Sequence, residues 1–422
     1  MTRATAKGSR ARVLFLNSCI NGGGAGRSLQ AYLKVIDPRI EAHVVMPSPG
    51  ILAPGLENVE RIWYVPEFVE RPQRSNYALA GRLGWEWFHW ASNVYGLPRS
   101  AGKIARIARE IGADLIYCNH MLANPIGAVA GARAGVPVVF HARNIHVAPV
   151  GRAFYRYLAQ RACVTRLICN SRASAELFLA CEPAKVRIVH NFVDLERFDR
   201  ARIAPTLRRD FGIPGDAVVV GYVGRLVPKK GLPVLLEAFR QLAERFPRAH
   251  LVLLGGNDTG FHRDLGAEYR ALAERSGIGG RTHFTGFLDD VRPVLADFDV
   301  LALPSVEPES FGRVLIEAMA LGIPCVVSRL GGALEVVDDG RTGFWATPGD
   351  AADLADKLGR LVGDATLRER FGRDGQEGVR ARFASRALGR QISDVLLEAA
   401  GRGLAEGDRA QAALVQPRED RR

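Results

Sequence analysis

Two cations and two carboxylates, at fixed places around apolar runs, are the residues of this chain best suited to chemistry. Arg225 and Lys230 stand in "GYVGRLVPKKGLPVLLEAF", after a strand-like run and before a helix-period segment. In sheets covered by helices, ligands gather on loops beyond the carboxyl ends of strands. Two fixed cations there would neutralise a departing diphosphate, the guanidinium as a planar fork and the ammonium as a point charge. Glu309 and Glu317 stand in "SVEPESFGRVLIEAMALG". Phe311 and Gly312 between them mark a helix start, where the free N–H groups around Gly312, Arg313 and Val314 would point at a phosphate. Glu317, further along that helix, would accept two hydrogen bonds from ribose hydroxyls, and Glu309 would accept from sugar hydroxyls. The plainer alternatives are a solvated basic turn, a helix cap at Glu309 and an ion pair at Glu317. Against solvation stands the run "VLIEAMA", because a carboxylate among buried neighbours needs partners.

A third candidate is "NGGGAGRSLQ", directly after the apolar "ARVLFLN". As a GxxxxGK[ST] phosphate loop it fails at Asn21, where the first glycine belongs, and at Arg27, where the lysine belongs. As a dinucleotide loop it fails at Arg27 again, and no acidic residue ends the next strand "EAHVVMP". What remains is a glycine loop that lets backbone approach a diphosphate, with a helix expected to start near Ser28, or a strand-to-helix turn that binds nothing.

The elements that must position these residues alternate in type. "RVLFLN", "AHVVMP", "DLIYCN", "PVVFHA" and "RLICNS" are followed by "VVVGYVG", "AHLVLLG", "RTHFTG", "DVLALPS" and "PCVVSR", with helix-period segments between. Such alternation predicts parallel sheets built from βαβ units, here in two doubly wound α/β domains. A chain of 422 residues is also too long for one core, at roughly 150 residues per domain. The boundary is expected near residue 200, giving domains over 1–200 and 201–383, a helix over 384–400 able to pack on either, and a loose tail over 401–422.

The composition is that of a soluble globular protein, 47% hydrophobic and 24% charged. A net charge of +12 favours acidic partners such as nucleotide phosphates or an anionic membrane surface. Nucleic acid is not expected, for the basic residues are dispersed and no recognition motif accompanies them. Six scattered cysteines without a CxxC pair predict reduced thiols and no metal site. With no long apolar span or signal-peptide core, a cytoplasmic protein is expected, able to work peripherally on the inner face of the membrane.

"GRLVPKKG", "ESFGRVLIE", "GGALEVVDDGRTGFWATPGD" and "KVRIVHNFVDLERF" together resemble family 4 retaining glycosyltransferases of the GT-B fold, the group 1 type, with an EX7E motif from Glu309 to Glu317. The resemblance covers nearly the whole chain and is strongest from about Ile168 to Asp350. It implies two Rossmann-like domains facing across a cleft, the C-terminal one holding the donor. Arg225 and Lys230 would contact its diphosphate, Glu309 its sugar and Glu317 its ribose, with backbone at Ser310, Phe311 and Gly312 on the diphosphate or sugar. Gly286 and Phe287 would hold the base, and Gly23 and Gly24 would close from the other domain. "GGALE" has Ala333 and Leu334 where the family often has a proline, so the resemblance gives Glu335 no firm role.

The implied reaction transfers a sugar, with retention, from a UDP-, GDP- or ADP-sugar to a hydroxyl of a glycan, lipid-linked or small-molecule acceptor, in cell-surface glycan or glycolipid synthesis. No carboxylate pair stands out as acid and nucleophile. That fits a front-face route in which the departing phosphate takes the acceptor proton, without metal or further cofactor. On the acceptor side, His120 in "YCNHM" is a candidate sugar or acceptor contact or a structural strand-end histidine, and His141 and Arg143 in "FHARNIH", expected on the next loop, are candidate contacts for an acceptor hydroxyl or phosphate. Trp85, Trp87, Phe88, Trp90 and Tyr95 form an aromatic cluster suited to core or lid packing, an acceptor platform or a membrane interface. The rival functions are a nucleotide-sugar epimerase of the same fold, a P-loop NTPase and a non-catalytic sugar-nucleotide binder.

Overall fold

The computed structural model describes residues 10–19, 23–50, 52–68, 97–145, 149–257 and 264–402. Asn21, Gly22, the aromatic cluster from Trp85 to Tyr95 and the tail beyond Arg402 lie outside them. The first sheet comprises β1 (Ala11–Leu16), β2 (Ile40–Met46), β3 (Arg61–Tyr64), β4 (Leu115–Cys118), β5 (Val138–Ala142), β6 (Val164–Cys169) and β7 (Val186–Ile188). Their order is β3-β2-β1-β4-β5-β6-β7 and every pairing is parallel. Helices α1 (Gly24–Lys34), α2 (Leu97–Glu110), α3 (Ala123–Ala134), α4 (Pro149–Ala159) and the short α5 (Arg172–Ala175) connect them. All residues of β4 and β5 are buried, as expected of parallel strands covered on both faces. Helix α2 presents Ala101, Ile104, Ala105 and Ala108 on one buried stripe, at the spacing of a 3.6-residue turn.

The second sheet comprises β8 (Val218–Val223), β9 (Ala249–Leu254), β10 (Thr282–Gly286), β11 (Val300–Leu303), β12 (Cys325–Ser328) and β13 (Gly343–Ala346), in the order β10-β9-β8-β11-β12-β13 and again parallel. Its helices are α6 (Leu207–Phe211), α7 (Leu232–Arg245), α8 (Leu265–Arg275), α9 (Arg292–Leu295), α10 (Arg313–Ala320), α11 (Ala351–Gly363) and α12 (Ala365–Arg382). Both sheets reverse strand order between their first and fourth strands, which opens a crevice at the carboxyl ends. In the first sheet that point lies between β1 and β4, in the second between β8 and β11.

The chain crosses between the sheets twice, and the crossings lie side by side. Val193 bridges to Ala384, and its N–H donates to the Phe383 carbonyl at 3.0 Å. Helix α13 (Ser385–Ala399) then returns to the first sheet, where Tyr32 and Ser393 share a buried hydrogen bond of 2.9 Å and Arg166 pairs with Glu398 at 2.5 Å. Strands β3, β7 and β13 are additions to the ten expected runs. Each has three or four residues and closes a sheet edge, and β3 and β7 are only partly buried, so none presents a long apolar run. Among the described residues no helix is long and apolar enough to cross a membrane.

Candidate functional site

At the switch point of the second sheet, the loop after β8 is pressed against the loop after β11. The buried Tyr222 hydroxyl donates to the Arg225 carbonyl at 2.8 Å, which fixes the first of these loops. Arg225 itself is exposed. Lys230 ends a 3₁₀ turn over Pro228–Lys230, and Gly231 follows at φ 69°. A Cβ on Gly231 would stand 2.0 Å from the Pro304 carbonyl oxygen, so only glycine allows the two loops to meet. Lys230 thereby reaches Glu309 and forms an ion pair with its Oε1, to which Ser305 Oγ also donates at 2.5 Å. The sequence suggests separate contacts, and the fold makes them one pair.

Burial raises the Glu309 carboxyl, but the charge and hydrogen bond of Lys230 and the Ser305 hydroxyl outweigh it, so the group is held below the usual range and stays ionised. Its backbone is equally fixed. Gly332 N–H donates to the Glu309 carbonyl at 2.7 Å, and Gly331 adopts φ 61°, ψ −147°, where a Cβ would stand 2.4 Å from that same oxygen. Burial, and then the charges of Arg225 and Lys230, lower Lys229.

Gly312 caps α10 at φ 81°, placing the helix start beside this pair. Ser310 joins it through its own backbone, lying between Glu309 and Phe311. The Phe311 ring is fully buried against His190 and Phe383, each with ring centres 5.6 Å away, so only its backbone is offered to the cleft. Glu317 accepts from Arg313 Nη2 at 2.9 Å, and Arg313 Nη1 crosses to the other domain, 3.3 Å from both the Gly24 carbonyl and Ser28 Oγ. Gly286 ends β10 at φ 73°, and Phe287 beside it is 61% exposed. Just beyond them, the Asp289 carbonyl accepts from Arg27 Nη2 of α1 at 2.9 Å.

The N-terminal lip differs from expectation. Helix α1 begins at Gly24, with Gly23 as its extended N-cap, rather than near Ser28. The glycines are the helix's own first turn, whose N–H groups need no intrahelical acceptor, so the helix starts without strong formers. Gly26 is the tightly packed one, since a Cβ there would stand 2.2 Å from Leu52 Cδ1, whereas a Cβ on Gly24 would meet nothing within 4 Å.

The ends of β4 and β5 bring His120, His141 and Arg143 together. His141 lies within β5, not on the loop after it. Arg143 is buried, donating from Nε to the Asn119 carbonyl at 3.1 Å, from Nη1 to Asn191 Oδ1 at 2.6 Å and from Nη2 to His141 Nδ1 at 3.2 Å. Guanidinium can only donate, so His141 Nδ1 is the acceptor and the ring proton is assigned to Nε2. The Tyr117 hydroxyl meets the same nitrogen at 2.5 Å. Burial, helped by Arg143, pushes His141 well below the ordinary imidazole range and His120 down to about 4, so both rings are neutral at pH 7. Among the described residues no carboxylate pairs with Arg143. Ser18 Oγ, Asn119 Oδ1, Asn170 Oδ1 and His141 Nε2, at the ends of four neighbouring strands, are buried without hydrogen-bond partners there.

Glu335 has an interdomain place that the sequence does not disclose. Its carboxylate accepts the N–H of Arg172 at 2.8 Å and of Ala173 at 3.3 Å, at the start of α5, and meets His190 Nε2 at 3.1 Å. Its partners are mostly backbone atoms, which carry no sequence signal. Arg313 is a different case: its four-residue spacing to Glu317 is the signature of a helical ion pair. Among the described residues no cluster of three or more His, Cys, Asp or Glu side chains is arranged to hold a metal ion.

Residues 22–197 match the model of Glycosyltransferase Family 4, and residues 204–378 that of Glycosyl transferases group 1. A D-inositol 3-phosphate glycosyltransferase of Corynebacterium efficiens is 32% identical over 331 residues, which cover 72% of this chain and 76% of its own. The chain belongs to the family 4 glycosyltransferases. An N-acetyl-alpha-D-glucosaminyl L-malate synthase of Bacillus anthracis is 27% identical over 306 residues, covering 70% of this chain and 77% of its own. Among solved structures, Alr3699/HepE of Anabaena in complex with UDP and glucose superposes with a TM-score of 0.77 at 28% identity, over 92% of this chain and all of that one. The two parallel sheets are thus the two halves of a GT-B glycosyltransferase, and the crevices at β1/β4 and β8/β11 belong to its cleft.

Proposed function

We propose that this glycosyltransferase moves a sugar from a nucleoside-diphosphate donor to an acceptor hydroxyl with retention of configuration and without a metal ion. The observation that carries the reading is the Lys230–Glu309 pair at the β8/β11 switch point, beside Arg225 and the start of α10. Lys230 and Arg225 stabilise the charge that grows on the departing diphosphate, together with the backbone at Ser310, Phe311 and Gly312. Glu309, kept ionised by Lys230, accepts from the sugar hydroxyls, Glu317 accepts from ribose, and Gly286 and Phe287 border the base. Gly23 and Gly24 approach from the opposite lip, with space left open beside Gly24.

On the acceptor side, His120 and Arg143 face the incoming hydroxyl group. His120 takes part as a neutral ring, because burial keeps it unprotonated. The acceptor oxygen attacks the anomeric carbon on the face that the diphosphate leaves. The bond from that carbon to the β-phosphate oxygen breaks, and that oxygen takes the acceptor proton. No protein group need carry the proton, and the protein's part is orientation and charge stabilisation.

HepE binds UDP and UDP-glucose in its solved complexes, which supports a nucleotide-sugar donor here. The net charge of +12, with Arg161 over the exposed Tyr157 ring at 5.2 Å, supports work at an anionic membrane face on surface glycan or glycolipid acceptors. The deciding experiment is a thermal-shift screen of UDP-, GDP- and ADP-sugars, followed by product analysis with and without acceptor alcohols in EDTA. One donor class should stabilise the protein, by about 2.7 kcal/mol at a hundred times its Kd, and an α-linked product should form from an α-linked donor. Inversion, dependence on added metal, or a rearranged donor without acceptor would each defeat the reading.

A further inference from the structure

We propose that Arg313 is a latch that ties nucleoside recognition to closure of the cleft, an inference that rests on the donor reading above. The EX7E helix carries its own cation one turn before its second glutamate. Arg313 Nη2 holds Glu317 Oε1 at 2.9 Å, while Nη1 lies 3.3 Å from both the Gly24 carbonyl and Ser28 Oγ, on the first turn of α1 in the other domain. The two charged side chains are only 17% and 14% exposed, and Arg313 Nε is buried without a partner among the described residues. A guanidinium confined in this way has little freedom to find other acceptors if the domains part.

A second contact repeats the pattern at the other end of the proposed nucleoside site. Arg27, one residue before Ser28, donates to the Asp289 carbonyl at 2.9 Å, immediately beyond Gly286 and Phe287. One turn of α1 therefore touches the ribose end through Arg313 and the base end through Asp289. Arg313 and Arg27 also repel each other, Arg313 being second only to burial in lowering Arg27, and the charge of Glu317 is the strongest influence opposing it. The carboxylate meant for ribose is thus also what keeps two arginines of opposite domains together. A nucleoside that orders Glu317 orders Arg313 with it, and through Arg313 the lip that carries Gly23 and Gly24. Arg313 is a positioning residue on this account. It acts on the donor through Glu317 and on the lip through backbone.

The test uses Arg313→Met, which keeps the apolar stem and removes every donor, with Ser28→Ala as a milder variant. For whichever of UDP, GDP or ADP stabilises the wild type, the donor KM of R313M should rise roughly tenfold, as for loss of a charge-assisted hydrogen bond, with kcat falling less. At saturating nucleotide, R313M should have a larger radius of gyration in solution scattering than the wild type. S28A should move both quantities the same way by less, and add nothing in the R313M background. A role in stability alone would leave KM and the radius unchanged at temperatures well below unfolding. Wild-type KM and radius in R313M would overturn the latch while leaving the glycosyltransferase reading intact. A wild type that binds none of the three nucleotides would overturn that reading and the latch with it.

Discussion

Replacing Lys230 by Met tests whether the Lys230–Glu309 pair is both a chemical and a structural unit. The partners are 16% and 18% exposed, between the surface regime, worth about 0.2–1 kcal/mol, and the fully buried one, where losing one partner costs about 3–5 kcal/mol. A loss of about 2 kcal/mol is expected for K230M, with Ser305 still donating to the stranded carboxylate. Its pH dependence follows from the shift at Glu309. With Lys230 present, the folded pKa lies below the unfolded one, so the pair stabilises above the unfolded carboxyl pKa and loses its effect as pH falls through the folded value. Without Lys230, burial is opposed only weakly and the folded pKa moves up, so the deficit should be larger at pH 8 than at pH 5. Glu309→Gln removes the charge that strands in K230M, and the double variant should therefore be more stable than the sum of the two single losses, by about 1–2 kcal/mol. Turnover should not recover, since a lost donor of this kind typically costs 10²–10³ in kcat. Urea unfolding at the two pH values, with initial rates at saturating donor, reads all of this. Additive stability losses, or wild-type turnover in K230M, would refute the reasoning.

Three further outcomes follow from the same geometry. His120 is held neutral with its pKa near 4, against about 6.5 when unfolded, so its contribution is complete above pH 6.5 and is lost as pH falls towards 4. At about 1.4 kcal/mol per unit the loss approaches 3 kcal/mol, and H120N should flatten that limb of a Tm-against-pH curve, with His141 supplying a residual slope of the same sign. Gly331→Ala places a Cβ 2.4 Å from the Glu309 carbonyl at a φ of 61°, and should cost about 1–3 kcal/mol in denaturation and lower kcat through a displaced Glu309. Glu335→Ala removes the acceptor of the Arg172 and Ala173 N–H groups and the partner of His190, so limited proteolysis between residues 189 and 206 should accelerate.

The fold was legible because its central strands are buried on both faces. Runs such as "LIYC" and "CVVS" carry enough apolar residues to announce themselves, and the short edge strands β3, β7 and β13 do not. The grouping of Glu309, Phe311, Gly312 and Glu317 was legible for a related reason, since they lie within one loop and one helix, where sequence spacing fixes spatial spacing. Contacts between domains were not. Glu335 finds backbone N–H groups at Arg172 and Ala173, and Arg27 finds the Asp289 carbonyl, and a peptide group is the same whatever residue bears it. The start of α1 was misjudged because glycine reads as loop, while the first turn of a helix tolerates glycine at small cost and Leu52 leaves room for nothing larger at position 26.

The two walls of the cleft differ in how their charges are balanced, and this bears on how the cleft meets a diphosphate. On the C-terminal wall each of the paired carboxylates has its own cation or backbone donors: Glu309 with Lys230, Glu317 with Arg313, Glu335 with Arg172 N–H and His190. The N-terminal wall holds Arg143 on a carbonyl, an amide and a neutral imidazole, none of which cancels its charge. Removing a guanidinium from water without an anion is costly, and such hydrogen bonds offset only part of that. The remaining field is that of a positive charge in poorly screened surroundings. A ligand that brings negative charge between the walls relieves this imbalance, and a neutral one does not. On the proposed reading, donor binding and the first movement of charge in the reaction would both be favoured by the N-terminal wall, without Arg143 itself touching the phosphates.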